Sequence, residues 1–107
     1  MTNFEAISAE IYPYNVDDNL ISKACLDNNI NEEKDYDKSQ KSSIAMSAVD
    51  ILKKLIVLSS ESNGGFGLSY DTDKIKERIY NIAVENDLSD IVEEFAIKPT
   101  ITSYESW

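Results

Sequence analysis

An all-α fold, a small bundle of four to five helices followed by an extended C-terminal arm, is what this 107-residue sequence predicts. Three observations predict it. Apolar residues recur at helical spacing through most of the chain. Asp, Asn or Ser residues suited to capping stand just before those runs. Strand-like alternation is confined to the last residues, with no second run to pair with. The expected division is a helical domain over residues 1–96 and an arm over residues 97–107. A chain of this length supports one modest core and no more.

The first helix is expected from Asn3 to about Glu10, with Asn3 as its cap and Phe4, Ile7 and Ile11 on one face. Tyr12-Pro13 stops it, because the residue before proline is pushed out of the helical region. Asp17-Asp18 offers acceptors and negative charge to a second helix, from about Asp18 to Asn28. Its apolar set is Leu20, Ile21, Ala24, Cys25 and Leu26, and Asn28-Asn29 ends it. Asn31 to Ser39 is polar and charged and reads as a loop or a frayed helix start.

The strongest pattern runs from about Lys38 to Ser60. Ile44, Ala48, Ile51, Leu52, Leu55, Ile56 and Leu58, widened by Ala45 and Val49, make a face so broad that this helix is expected to be central. Ser59 to Gly67 breaks it. Asp71-Thr72-Asp73 caps a fourth helix to about Asn86, with Ile75, Ile79, Ile82 and Ala83 inward and Lys74, Lys76, Glu77 and Arg78 outward. Ser89 is expected to cap a last short helix, Asp90 to Phe95, and Lys98-Pro99 ends helical order. No internal repeat is apparent.

Composition excludes more than it assigns. Ten Lys and Arg against twenty Asp and Glu leave a formal charge of −10. That balance argues against gripping phosphates or docking on anionic lipid, both of which need clustered cations. Histidine is absent, which removes the usual general base, metal ligand and pH switch. The single cysteine, Cys25, cannot form an internal disulfide and reads as a small buried apolar residue. No leader pattern is visible at Met1–Glu5, and the apolar run Ile51–Leu58 is broken by Lys53-Lys54. A reducing, soluble compartment and no membrane partner are expected.

The constellations that could carry chemistry fail one by one. Asp27-x-Asn29-x-Asn31 begins like a calcium loop, but the positions that need glycine and a bidentate glutamate hold Glu32 and Lys38. Glu32, Glu33, Asp35 and Asp37 read as a solvated loop. Asp71-x-Asp73 stands at a helix start, where carboxylates serve as caps. Gly64-Gly65-Phe66-Gly67 lacks the Lys and Ser/Thr of a phosphate loop and follows a helix instead of a strand. No Ser–Lys pair falls in a diagnostic motif, and carboxylate pairs for glycoside cleavage have no identifying spacing. The expectation is no enzyme, no metal and no cofactor.

An interaction protein remains. The residues expected at its interfaces are Gly64, Gly65, Phe66 and Gly67 at a loop tip and Pro99, Ile101, Tyr104 and Trp107 in the arm. Tyr and Trp bury much area at little entropic cost. Ten extended residues reach roughly 33 Å, enough to clasp a neighbour; the alternatives for this segment are a strand folded back on its own helices or a disordered tail.

One further pattern is specific. The amphipathic first helix, Tyr12-Pro13, the second helix at Asp17-Asp18 and the long apolar helix Ile44–Leu58 lead into Ser60-Glu61-Ser62-Asn63-Gly64-Gly65-Phe66-Gly67-Leu68-Ser69-Tyr70 and another helix. This layout resembles the head–tail connector (adaptor) proteins of tailed bacteriophages over most of residues 1–95. The resemblance implies a ring, commonly of twelve copies, at the head–tail junction of the virion, assembled in the host cytoplasm. It implies as partners the chain itself, a portal protein above and a tail or adaptor protein below, with DNA passing through a negatively charged lumen without specific binding. The family has no catalytic residue to carry over. The alternative of another class is an acidic inhibitor or DNA mimic lodged in the basic groove of a nucleic-acid-binding protein.

Overall fold

The computed structural model describes residues 1–61 and 71–96. Its first helix, α1 (Asn3–Ile11), is started by Thr2 and not by Asn3. Thr2 and Glu5 form a capping box: the Glu5 N–H donates to Thr2 Oγ1 at 3.1 Å, and the Thr2 N–H donates to Glu5 Oε1 at 2.8 Å. With the cap supplied by Thr2, Asn3 turns inward and is fully buried. Its side-chain amide donates to the Asn31 carbonyl at 2.9 Å and its N–H to the Lys34 carbonyl at 2.8 Å. The Phe4 N–H donates to the Glu32 carbonyl, and the Tyr36 N–H to the Met1 carbonyl. The loop expected over Asn31–Ser39 is therefore a docking strip that satisfies donors at the helix start which would otherwise be orphaned. An isolated antiparallel bridge, Thr2 to Asp35, marks the contact. Helix α1 stops at Tyr12, which is joined to Pro13 by a cis peptide.

Helix α2 (Asp18–Asp27) starts at Asp17, whose carboxylate accepts the Asn19 N–H at 2.8 Å. A short 3₁₀ turn, Lys38–Gln40, precedes α3 (Lys41–Glu61). Helix α4 (Thr72–Glu85) starts at Asp71, which accepts N–H bonds from Asp73 and Lys74 at 3.1 and 3.3 Å. Helix α5 (Ser89–Phe95) follows almost at once. The fold is all-α, and no strand occurs among the described residues.

Helices α2 and α4 end in the same device. Asn29 (φ 58°) and Asp87 (φ 56°) take the left-handed conformation just past the helix, which Asn and Asp tolerate better than other residues with a Cβ. The Ile30 N–H then reaches back to the Cys25 carbonyl at 2.8 Å, and the Leu88 N–H to the Ala83 carbonyl at 2.9 Å. These are the long bonds of a Schellman motif. In both helices the capping asparagine folds back as well: Asn28 Nδ2 donates to the Ala24 carbonyl and Asn86 Nδ2 to the Ile82 carbonyl. Leu26-Asp27-Asn28-Asn29-Ile30 and Val84-Glu85-Asn86-Asp87-Leu88 are thus one helix-stop pattern used twice.

Leu88 has a second task. It ends α4 and occupies the cap position of α5, with its carbonyl accepting from Ile91 and Val92. That register makes Ser89 the first residue of α5 and not its cap, and α5 has no side-chain cap bond.

The central helix is α3, which packs against α1, α2 and α4. Ile44, Ala45, Ala48, Val49, Ile51, Leu52 and Leu55 are buried, with Ile56 and Leu58 half-buried, so the expected broad face is the one the fold uses. Ile75, Ile79, Ile82 and Ala83 of α4 complete the core with Ile7, Ile11, Ile21 and Cys25. Buried Ser47 meets α2 through its hydroxyl, which donates to the Ser43 carbonyl at 3.0 Å and lies 3.4 Å from the Ala24 carbonyl. Small side chains at Ala24, Ser47 and Ala48 suit a close approach of the two helices.

Two inward–outward assignments are corrected. Leu26, expected in the apolar set of α2, is 76% exposed, because it is rotated about 100° around the helix from Cys25, off the Ile21–Ala24–Cys25 stripe. Arg78, expected outward, lies half-buried between helices. Its guanidinium donates twice to the Glu10 carbonyl at 3.2 and 3.1 Å and once to Glu10 Oε1 at 3.3 Å. It satisfies a carbonyl in the last turn of α1 and places positive charge at that helix's negative end.

Candidate functional site

A broad concavity lies between α4 and α5. Its volume is about 760 Å³. Asp73, Lys76, Glu77 and Tyr80 line it from α4, and Glu94, Phe95 and Ala96 from the end of α5. The four α4 residues recur at helical spacing, on the side opposite the buried Ile75–Ile79–Ile82 stripe. One helix therefore has its apolar stripe in the core and leaves a mixed stripe, with one aromatic, on the groove.

The α5 wall is held from α3. Lys53 Nζ pairs with Glu94 Oε1 at 3.0 Å and lies 5.6 Å from the centre of the Phe95 ring. The ion pair is exposed and on its own contributes little stability. Together with the ring contact it fixes where the last turn of α5 sits. Tyr80 and Phe95 are both half-buried, so part of each aromatic ring remains available. At Ala96 the backbone leaves α5 in an extended conformation, φ −63° and ψ 137°, on the rim of the groove.

The groove presents apolar and aromatic surface with carboxylates and one lysine at its edge. That arrangement suits binding a peptide-like segment, and it places no nucleophile beside a base. A smaller depression between α2 and α3, about 100 Å³, is ringed by Lys23, Asp27, Asp50 and Lys54. Lys23 and Asp27, one turn apart on α2, pair along its α2 wall at 2.6 Å.

The remaining polar candidates are engaged in structure. The Asp27–Asn31 segment is consumed by the α2 stop and the α1 dock: Asn31 Oδ1 accepts the Glu33 N–H, and Glu32 accepts the Ser22 hydroxyl. Asp37 accepts both the hydroxyl and the N–H of Ser39, which holds its carboxyl below the usual range. Glu5 is likewise lowered, chiefly by the Thr2 N–H. Among the described residues no group of His, Cys, Asp and Glu could hold a metal ion. Cys25 is 1% exposed, and burial, helped by the charge of Glu32, pushes its thiol up. A raised thiol is a poor nucleophile.

Charge is unevenly spread. Glu85, Asp87, Asp90, Glu93 and Glu94 fall between residues 85 and 94 with no lysine or arginine among them, and all five are exposed. No helix of the described residues is long and apolar enough to cross a membrane.

The interface residues expected from sequence, Gly64, Gly65, Phe66, Gly67, Pro99, Ile101, Tyr104 and Trp107, lie outside the described residues. The α4–α5 groove was not foreseen. Its signal in the sequence is Tyr80, an aromatic on the otherwise charged stripe of α4, but which helix would face that stripe is a tertiary fact. A model for a family of unknown function, DUF6706, matches residues 1–107. No curated protein and no solved structure matches the chain.

Proposed function

The chain belongs to the DUF6706 family, whose function is unknown, and from the resemblance in its sequence we propose that it is a non-enzymatic virion structural protein, the head–tail connector of a tailed bacteriophage. Copies assemble as a ring, twelve in the form the resemblance implies. The ring docks on the portal protein, extends the DNA channel and presents a platform for the next tail component. Its place is the head–tail junction, and it is assembled in the host cytoplasm.

One observation carries the reading: between Glu85 and Glu94 this all-α bundle exposes five carboxylates with no lysine or arginine among them, of which Glu94 pairs with Lys53 of α3. A surface of that sign in a channel offers no cations to exchange for the counterions of DNA, so DNA slides past unbound. A closed ring requires one patch of each subunit to meet a different patch of the next. The glycine-rich segment around Phe66 and the arm with Ile101, Tyr104 and Trp107 are the proposed contributors. The order of elements that resembles the connectors also supports a structural part.

The same acidic stretch favours a second reading, a DNA mimic in the basic groove of a nucleic-acid-binding protein. Lys74 and Lys76 on α4 weigh against it, because they interrupt any regular array of carboxylates.

Light scattering of the full chain, alone and with a portal protein from the same genome, tests the proposal. Ring-sized or portal-bound species are expected. Strict monomers in both samples would overturn it. Capture of a basic nucleic-acid-binding protein that weakens steeply with salt would favour the mimic.

A further inference from the structure

We propose that the groove between α4 and α5 is the receptor for residues 97–107 of a second copy of this chain, so that every subunit both donates an arm and receives one. The inference rests on the self-assembly proposed above, though not on the partner being a portal.

The occupant is argued from where the chain leaves the described fold and how much of it follows. Ala96 lines the groove and its backbone is already extended. Lys98 precedes Pro99, and a residue before proline keeps to extended geometry. The backbone at Ala96 and the local preference at Lys98 both favour an extended segment. Length points to a neighbour. Eleven extended residues span roughly 36 Å, whereas the α4 wall from Asp73 to Tyr80 is only about 10 Å long. Such a segment overshoots its own groove more than threefold and reaches a neighbouring subunit.

The chemistry is complementary. The segment Ile97-Lys98-Pro99-Thr100-Ile101-Thr102-Ser103-Tyr104-Glu105-Ser106-Trp107 brings apolar and aromatic groups to the floor made by Tyr80 and Phe95. Its single cation, Lys98, meets a rim that holds Asp73, Glu77 and Glu94 against one lysine, Lys76. Donor and acceptor patches differ, which makes the contact heterologous, and heterologous contacts close into rings.

Cross-linking of full-length variants that each gain one cysteine beside Cys25 tests this. Lys76→Cys places a thiol on the exposed rim, and Ser103→Cys places one in the arm without removing an aromatic anchor. Cys25 is buried and silent, and the unsubstituted chain run in parallel reports its background. Mixed and mildly oxidised, the two variants should yield several-fold more linked dimer than either alone. Glu77→Cys in place of Lys76→Cys repeats the test should the first variant lose its helical circular dichroism. Two results would overturn the proposal: no enrichment of the mixed dimer, or a link formed only within one chain of the doubly substituted protein. Light scattering separates this from the connector reading. Assembly without the mixed link defeats the groove alone, and the mixed link in a protein that never captures a portal supports the groove while defeating the connector.

Discussion

Leu52→Ala probes the claim that α3 is the central helix. Leu52 is fully buried in the helix that packs against α1, α2 and α4. Removing three buried carbons at about 0.8 kcal/mol each forfeits roughly 2.4 kcal/mol of transfer free energy. The cavity left behind adds up to about 2 kcal/mol if the three neighbouring helices fail to close on it. The expected loss is about 3–4 kcal/mol. Domains of this size have stabilities of about 5–15 kcal/mol, so the variant should remain folded but visibly weakened. At roughly 4–8 °C per kcal/mol, Tm should fall by about 12–30 °C. Leu26→Ala is the matched control, since Leu26 is 76% exposed and should lose no more than about 0.5 kcal/mol. Urea unfolding followed by far-ultraviolet circular dichroism measures both. A loss below about 1 kcal/mol for Leu52→Ala, or equal losses for the two leucines, would refute the placement of α3 at the centre.

Other expectations follow from caps, charges and burial. Asp71→Ala removes the acceptor of two N–H groups at the start of α4 and should cost about 1 kcal/mol in the same unfolding assay, with Asp71→Asn close to wild type. Asn29→Val forces a β-branched residue to a φ of 58° and should lower Tm, while Asn29→Gly leaves it unchanged or higher; the reverse order would contradict the helix-stop geometry. Glu5 has a folded pKa below its ordinary 4.5, so its contribution is present above that pH and is lost as acid protonates the folded carboxyl. The stability gap between wild type and Glu5→Gln should therefore narrow below pH 4.5, and a gap independent of pH would argue against the capping box. Cys25, buried with a raised thiol, should react with a disulfide reagent far more slowly in buffer than in denaturant; equal rates would show that the core is open around it.

The elements that could be read without the structure are those whose signal is periodic. The faces of α3 and α4 are set by apolar spacing alone, and any partner that buries them gives the same inward residues. The misreadings share a different cause. Asn3 and Thr2 are both competent caps, and Glu5, three residues beyond Thr2, decides between them by bonding back to the Thr2 N–H. Ser89 is a sound cap by type, but the α4 stop places Leu88 in that position first. Arg78 stands on a charged stripe and would be solvated on an isolated helix; the end of α1 gives it a carbonyl to hold. The paired helix-stop patterns escaped notice because they share polarity and register and only some of their residues. The candidate groove was out of reach for the same reason as Arg78, since its two walls belong to different helices.

What the amino-acid order determines by itself is the helical class, the number of helices in the described residues, their core stripes and the absence of histidine chemistry. These follow from local propensity and from apolar periodicity, which act within a few turns of chain. Only the tertiary structure decides that the 31–36 loop serves the start of α1, that Arg78 clamps α1 to α4, and that Tyr80 and Phe95 share a groove where the chain departs at Ala96. Each of those depends on backbone donors, carbonyls or ring faces from segments distant in sequence. Packing alone brings such groups within reach of one another.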